Sequence, residues 1–323
     1  MSLRKFLSEF GHHMYGSYNL LLQQDQLENI DEVGADPNHP FNIYMVARRP
    51  RVTIDPESIQ VTEEYITGRF FLQRRNTFEP HDFRIKNLLG VSQFRFESPY
   101  PHTEFSVYDD SGRRLSAGKV ALLIAFASPE FWELLDLEVL YIGQAFGSGG
   151  ERTAQDRLQS HSTLQAIYSE AIRRSPDQEI WLVLWCFDPL LIMSFDGTQE
   201  NYGATDEEDD QHIEQVLRNR ITRQQEINLT EAALIRYFQP EYNTIFKNSV
   251  PNPAHKTYSE CYDLDLNSIS VELDTGELRC RLWSSTVEPQ WVHIMTYPLH
   301  SAEERQSMFD SPLPAGDRDT NRP

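Results

Sequence analysis

A stretch in the middle of the chain carries three side chains whose chemistry suits a phosphate group. Tyr141 closes an apolar run, Arg157 follows a Gly/Ser-rich segment, and His161 comes four residues later. This order predicts a strand, a loop and a helix, with Arg157 and His161 one helical turn apart on the same face. A guanidinium binds phosphate oxygens through paired hydrogen bonds, and an imidazole exchanges protons near neutral pH.

A second group of polar residues follows farther along the chain. The apolar pattern predicts a helix from about residue 229 to 238, which ends before Pro240. Glu231 lies on this helix, and Mg²⁺ is usually held by one or two carboxylates together with waters and substrate phosphates. A carboxylate early in a helix is also favoured by the helix dipole alone. Asn243 either fixes the helix end or a metal-bound water, or is an ordinary turn residue.

In this order the motifs resemble those of the GIY-YIG endonuclease superfamily. Tyr141-Ile142-Gly143 resembles the second motif of the family, and Arg157 with His161 resembles the pattern of a restriction-enzyme-like branch. Glu231 and Asn243 resemble the family's Glu helix and the turn after it. The resemblance covers residues 120–247, and the flanking segments match no family that we can name.

The resemblance implies a particular activity and site. It implies hydrolysis of DNA phosphodiester bonds with a single Mg²⁺ or Mn²⁺ ion, for which Glu231 is the one protein ligand. The other residues that it makes catalytic are Tyr141, Arg157, His161 and Asn243. Arg152 would contact the phosphate backbone.

One family motif is absent from its expected place. The family has Gly-Ile-Tyr about ten residues before the second motif, and this first tyrosine is often a catalytic phenol. The apolar run at residues 120–126, which we predict to be a strand, contains no tyrosine. The chain is therefore either a divergent active branch that relies on Tyr141 and His161, or a degenerate domain that only binds.

The distribution of charge limits how the chain can meet nucleic acid. The net charge of -20 disfavours non-specific coating of DNA. Residues 196–214 contain eight acids and no Lys or Arg, so we expect a solvated acidic loop there. Several arginines upstream either follow a phosphate backbone or protect exposed sheet edges. These candidates are Arg48, Arg49, Arg51, Arg74 and Arg75.

The sequence predicts an α/β (mixed α+β) fold, with a GIY-YIG-like core in which helices flank a small central β-sheet, and with β-rich elaborations at both ends. The predicted regions are a helical lead-in at 1–40, a β-rich accessory region at 41–118, a nuclease core at 119–247 with the acidic insert 196–214, a β-rich region at 248–310 and a disordered tail at 311–323. The flanking regions would select the target or form a homodimer.

The cysteines, the N-terminal residues and the apolar runs indicate the cellular compartment. Three widely spaced cysteines fit a reducing compartment, no secretory signal is evident, and the longest apolar run is too short to cross a bilayer. We therefore expect a cytoplasmic protein with no membrane contact. The main hypothesis is an endonuclease of restriction or defence type. The alternatives are a catalytically degenerate binding or scaffold protein, and a repair nuclease for branched DNA or a nuclease for RNA.

Overall fold

The computed structural model describes residues 4–36, 38–89, 93–144, 162–197, 202–245, 247 and 259–310. The strands are β1 (Ser8–Leu22), β2 (Ile43–Val61), β3 (Tyr65–Arg74), β4 (Thr77–Lys86), β5 (Arg95–Glu97), β6 (Glu104–Tyr108), β7 (Arg114–Lys119), β8 (Leu137–Gln144), β9 (Gln178–Phe195), β10 (Ser268–Asp274), β11 (Leu282–Ser284), β12 (Val287–Gln290) and β13 (Val292–Pro298). The α-helices are α1 (Val120–Ala127), α2 (Ser162–Arg174), α3 (Asp206–Arg218), α4 (Arg223–Phe238) and α5 (Ser259–Asp263). Short 3-10 helices cover Gln24–Val33, Pro129–Leu135 and Gly276–Leu278.

One ten-stranded sheet organises the described part of the chain. Its strand order is β12-β11-β8-β2-β9-β1-β10-β13, and β3 and β4 continue from the second half of β2. The strands β12 and β13 lie at opposite ends of this order, yet only Trp291 separates them in sequence. Because one residue spans at most about 3.6 Å, the two ends must approach each other, and the sheet is nearly closed. Strands β5, β6 and β7 form a separate small sheet.

The two faces of the sheet carry separate hydrophobic cores. Alternate residues of a strand point to opposite faces, and in β2 Met45 belongs to the first core whereas Tyr44 and Val46 belong to the second. Helix α4 packs on the first core through residues such as Leu234. Helix α2 packs on the second core through residues such as Ile167. The apolar run of β9 is a central part of this packing, since Ile180 to Phe187 is buried throughout.

The predicted small central sheet flanked by helices is wrong. Strands from the N-terminal, middle and C-terminal parts of the chain all join the same large sheet. The helical lead-in at residues 1–40 is also wrong, because β1 occupies Ser8–Leu22. This strand lies between β9 and β10, and its first half is buried on both faces. A strand buried on both faces need not alternate apolar and polar residues. Without that alternation, the four-residue spacing of Phe6 and Phe10 favours a helix in the sequence.

Two further expectations fail locally. The apolar run predicted as a strand at 120–126 forms helix α1, since periodicity cannot distinguish a short fully apolar helix from a strand. The predicted acidic loop at 196–214 is helical from Asp206, where Thr205 and Glu208 form a capping box. Asp209 is buried, and its Oδ1 accepts a hydrogen bond from the backbone N–H of Ser8 at 3.1 Å.

A buried ion pair joins the two ends of the described chain. The carboxylate of Glu9 is fully buried and accepts hydrogen bonds from Arg305 Nε at 3.1 Å and from Arg305 Nη2. Arg305 Nη1 also donates to Asp265 Oδ1 at 2.6 Å. The segment after β13 is thereby fixed to the start of β1. Within the described residues, no helix combines the length and apolar character needed to cross a membrane.

Candidate functional site

The motif Tyr141-Ile142-Gly143 lies at the end of β8, paired with the start of β2. In this antiparallel pairing Gly143 stands opposite Tyr44, and Ile142 stands opposite Met45. The rings of Tyr44 and Tyr141 have centroids 6.1 Å apart. A Cβ atom at position 143 would lie 2.5 Å from both Cζ and Oη of Tyr44. Only glycine therefore leaves room for the Tyr44 phenol at this position.

Tyr44 is the residue that sequence reasoning missed. It belongs to Asn42-Ile43-Tyr44, which departs from Gly-Ile-Tyr only at its first residue. The family spacing places the first tyrosine about ten residues before Tyr141, whereas β2, which pairs with β8, carries Tyr44 roughly a hundred residues upstream. The Ile-Tyr pair at the start of a β-rich run was the available signal.

Asn243 holds the end of β8 in place. Its Oδ1 accepts a hydrogen bond from the backbone N–H of Ile142 at 2.9 Å, and its Nδ2 donates to the backbone carbonyl of Ile142 at 2.8 Å. The backbone N–H of Tyr242 donates to the carbonyl of Leu140 at 3.0 Å. Strand β11 pairs only with the first residues of β8. The contacts with Asn243 and Tyr242 therefore supply hydrogen-bond partners for backbone groups of β8 that β11 does not reach. Asn243 is thus a positioning residue for the tyrosine motif.

The phenol of Tyr242 also belongs to this junction. It donates a hydrogen bond to Glu170 Oε2 of α2 at 2.7 Å. Burial and the neighbouring carboxylate raise the pKa of Tyr242 to about 12. This phenol therefore stays protonated at neutral pH and cannot act as a base there.

Glu231 lies in the middle of α4, because the helix begins at Arg223 rather than near residue 229. The helix dipole therefore gives no reason for its position. Glu231 shares a helical stripe with Ile227, Leu234 and Phe238, and these three residues pack in the first core. Tyr141 packs against the second core, on the opposite face of the sheet.

Three predicted site residues lie outside the described residues. These are Arg152, Arg157 and His161, which belong to the segment between β8 and α2. Helix α2 itself is described from Ser162. Their roles stay predictions.

Two of the candidate DNA-binding arginines are engaged inside the fold. Arg48 Nε donates to Glu138 Oε2 of β8 at 2.6 Å. Arg49 is 2% exposed, and its guanidinium lies 4.0 Å from the ring centroid of Trp181. Burial lowers the pKa of Arg49 and raises the pKa of the nearby Glu179 carboxyl. The expectation that Arg49 lies on a solvent-facing edge is therefore wrong.

The other three arginines are accessible to different degrees. Arg51 is half-buried and lines a cleft of about 930 Å³. Arg74 is exposed and pairs with Glu79 at 3.3 Å. Arg75 is exposed in the β3–β4 turn, and its backbone N–H donates to Asp177 Oδ2 at 2.7 Å. The cleft beside Arg51 also contains acidic residues, so it is no uniformly basic groove for a phosphate backbone.

The metal prediction depends on Glu231 alone. Within the described residues no group of three or more His, Cys, Asp or Glu side chains could hold a metal ion. The amide of Asn243 is already bonded to Ile142 through both polar atoms. One carboxylate fits Mg²⁺ when waters and substrate phosphate complete the coordination shell. Glu231 as a single protein ligand therefore fits a metal ion that binds together with substrate, and not one coordinated by several protein side chains.

Comparison of the chain with models of known protein families, with curated protein sequences and with solved structures found no match. The candidate site is therefore defined by its own geometry. The part of the site that the structure describes consists of the pairing of Tyr44 with Gly143 and the nearby ring of Tyr141.

Proposed function

We propose that this chain is a metal-dependent endonuclease of the GIY-YIG type, which hydrolyses phosphodiester bonds in DNA. The observation that supports it is the pairing of Ile43-Tyr44 on β2 with Tyr141-Ile142-Gly143 on β8. In this proposal, Tyr44 on the distant strand β2 takes the part of the tyrosine that is missing from its expected place in the sequence. Two strands put two phenols beside each other, and Gly143 provides the space for one of them.

The proposed roles follow from the chemistry of each side chain. The phenols of Tyr44 and Tyr141 would orient the attacking water, and Arg157 would hold the scissile phosphate through paired hydrogen bonds. Glu231 would hold the Mg²⁺ or Mn²⁺ ion, which when bound neutralises charge on the phosphoryl oxygens. His161 would exchange a proton near neutral pH. Asn243 keeps the strand that carries Tyr141 in register.

A second function has its own supporting observations. Tyr44 is fully buried, and the apolar residues of α4 such as Leu234 pack in the first core, whereas Tyr141 packs against the second. A degenerate nuclease that binds nucleic acid, or a scaffold, would retain the strand pairing and Gly143 without forming a catalytic centre. The net charge of -20 also fits a scaffold better than a protein that coats DNA.

Cleavage of supercoiled plasmid separates these functions. The purified protein is tested with Mg²⁺, with Mn²⁺ and with a chelator, beside Glu231→Ala and Arg157→Ala. The control is Glu57→Ala, which removes an exposed carboxylate from β2. The nuclease proposal expects nicking that needs metal, is lost in both site variants and is retained in the control.

Other outcomes of these assays would support an alternative function or contradict the proposed site. DNA binding in a gel-shift assay without cleavage in any metal would support the non-catalytic alternative. Metal-dependent cleavage of RNA or branched DNA, with plasmid left intact, would indicate the other nuclease class. Wild-type nicking that persists in both Glu231→Ala and Arg157→Ala would contradict the proposed site.

A further inference from the structure

Helix α1 has an apolar surface that the fold leaves partly open. Its eight residues contain no polar side chain. Val120 and Ile124 are fully buried, whereas Phe126 is 58% exposed. A helix that is apolar on every side is normally covered on every side. The open side of α1 therefore forms one wall of a cavity.

This cavity has a volume of about 340 Å³, and its other walls include Ile59 of β2 and the residues Leu88, Leu89 and Phe94. The β3–β4 hairpin contributes Ile66 and Phe83, and the small sheet contributes Phe105 and Val107. The helix contributes Leu123 and Phe126. These walls offer a water molecule few polar partners. The space is suited to a hydrocarbon group.

Polar groups line the cavity at only two places among the described residues. These are Lys86, exposed at the end of β4, and Ser116 on β7. The lysines Lys5 and Lys119 have carboxylate partners, whereas in the described part of the chain Lys86 has none. An apolar cavity with a cation at its margin matches a ligand with a hydrocarbon body and one anionic end.

We propose that this cavity binds a small amphipathic carboxylic acid. The hydrocarbon body would occupy the space between the hairpin, the small sheet and α1, and the carboxylate would pair with Lys86. The volume corresponds to about eleven water-sized groups at about 30 Å³ each, so a hydrocarbon chain of about ten methylene-sized groups fills it. The proposal is independent of the nuclease activity, since no residue of the tyrosine motif lines the cavity.

The size of the cavity gives a first test, by calorimetric titration of the full chain with straight-chain acids of six to fourteen carbons. Each buried methylene contributes about 0.8 kcal/mol, which corresponds to about a fourfold increase in affinity. We expect this increase up to about ten carbons, and a plateau beyond. Ser116→Leu should weaken decanoate at least tenfold with an unchanged melting temperature. Absence of decanoate binding at millimolar concentration would overturn the proposal.

The charge at the margin gives a second test, with decanoate, 1-decanol and decylamine as probes. The net charge of -20 attracts the amine to the protein surface in general, so a preference for decanoate requires a local cation. We expect this preference in the wild type and in the control Arg220→Met, and its loss in Lys86→Met. Decylamine binding as tightly as decanoate, or Lys86→Met keeping the preference, would refute the carboxylate. Because Lys86 is exposed, this variant should fold normally.

Discussion

Replacement of Gly143 by alanine should disturb the tyrosine pair directly. The new Cβ atom would lie 2.5 Å from Tyr44 Cζ and Oη, and 2.9 Å from Tyr141 Cε1. Carbon atoms in contact prefer about 3.5–4.0 Å, so the Tyr44 ring must move by about 1 Å. Tyr44 is fully buried, and overpacking of this kind costs about 1–3 kcal/mol. We expect Gly143→Ala to lower the free energy of unfolding by about 3 kcal/mol, since it meets both rings.

A double-mutant cycle isolates this contact. Tyr44→Leu removes the ring, so Gly143→Ala should cost at least 1 kcal/mol less in that background than in the wild type. Denaturation by guanidinium, followed through tryptophan fluorescence, measures each variant. Gly118→Ala is the matched control, because its Cβ would meet Phe105 at an ordinary 3.6 Å. Additive effects of Tyr44→Leu and Gly143→Ala, within about 0.5 kcal/mol, would refute the proposed apposition.

Three further predictions concern the surroundings of the site and of the sheet. Arg305→Met should destabilise the fold by about 3–5 kcal/mol, because it leaves the Glu9 charge buried without its partner; the exposed control Arg113→Met should change the melting temperature little. Asn243→Ala should cost about 1–3 kcal/mol and speed hydrogen exchange at the end of β8, and unchanged exchange there would contradict the role of this amide. Burial lowers the pKa of His293 to about 4, below its unfolded value near 6.5. Between these pH values the unfolded chain binds a proton that the folded chain does not, so the free energy of unfolding falls as the pH drops from 6.5 towards 4. That loss reaches about 3 kcal/mol, and His293→Phe should flatten the dependence of melting temperature on pH; equal slopes would contradict it.

The sequence predicts strands well where burial and turn chemistry agree. The run Ile180 to Phe187 is both long and continuously apolar, and it forms a central part of β9. The strand that ends in the tyrosine motif is confirmed as β8. At the turn between β6 and β7, Asp109 Oδ1 accepts hydrogen bonds from the backbone N–H groups of Ser111 and Arg113, so short-range polar residues fix this turn.

The failures have a common cause in tertiary context. Strand β1 is placed between two other strands, and α1 is apolar on every side, so neither shows the period of its own structure. The partner of β8 could not be found by spacing, because the chain makes a hairpin, a small sheet and α1 between Tyr44 and Tyr141. Burial of Arg49 likewise depends on its stacking against Trp181, a contact between distant residues.

The most direct test of the central claim is the rate at which Tyr44→Phe nicks plasmid with Mg²⁺ under single-turnover conditions. The substitution removes only the hydroxyl of a buried side chain, and a thermal melt confirms that the variant is folded. If Tyr44 is the missing first tyrosine, the rate should fall at least about a hundredfold. The exposed Tyr100→Phe should cut like the wild type. A Tyr44→Phe variant that nicks plasmid at the wild-type rate would contradict the account.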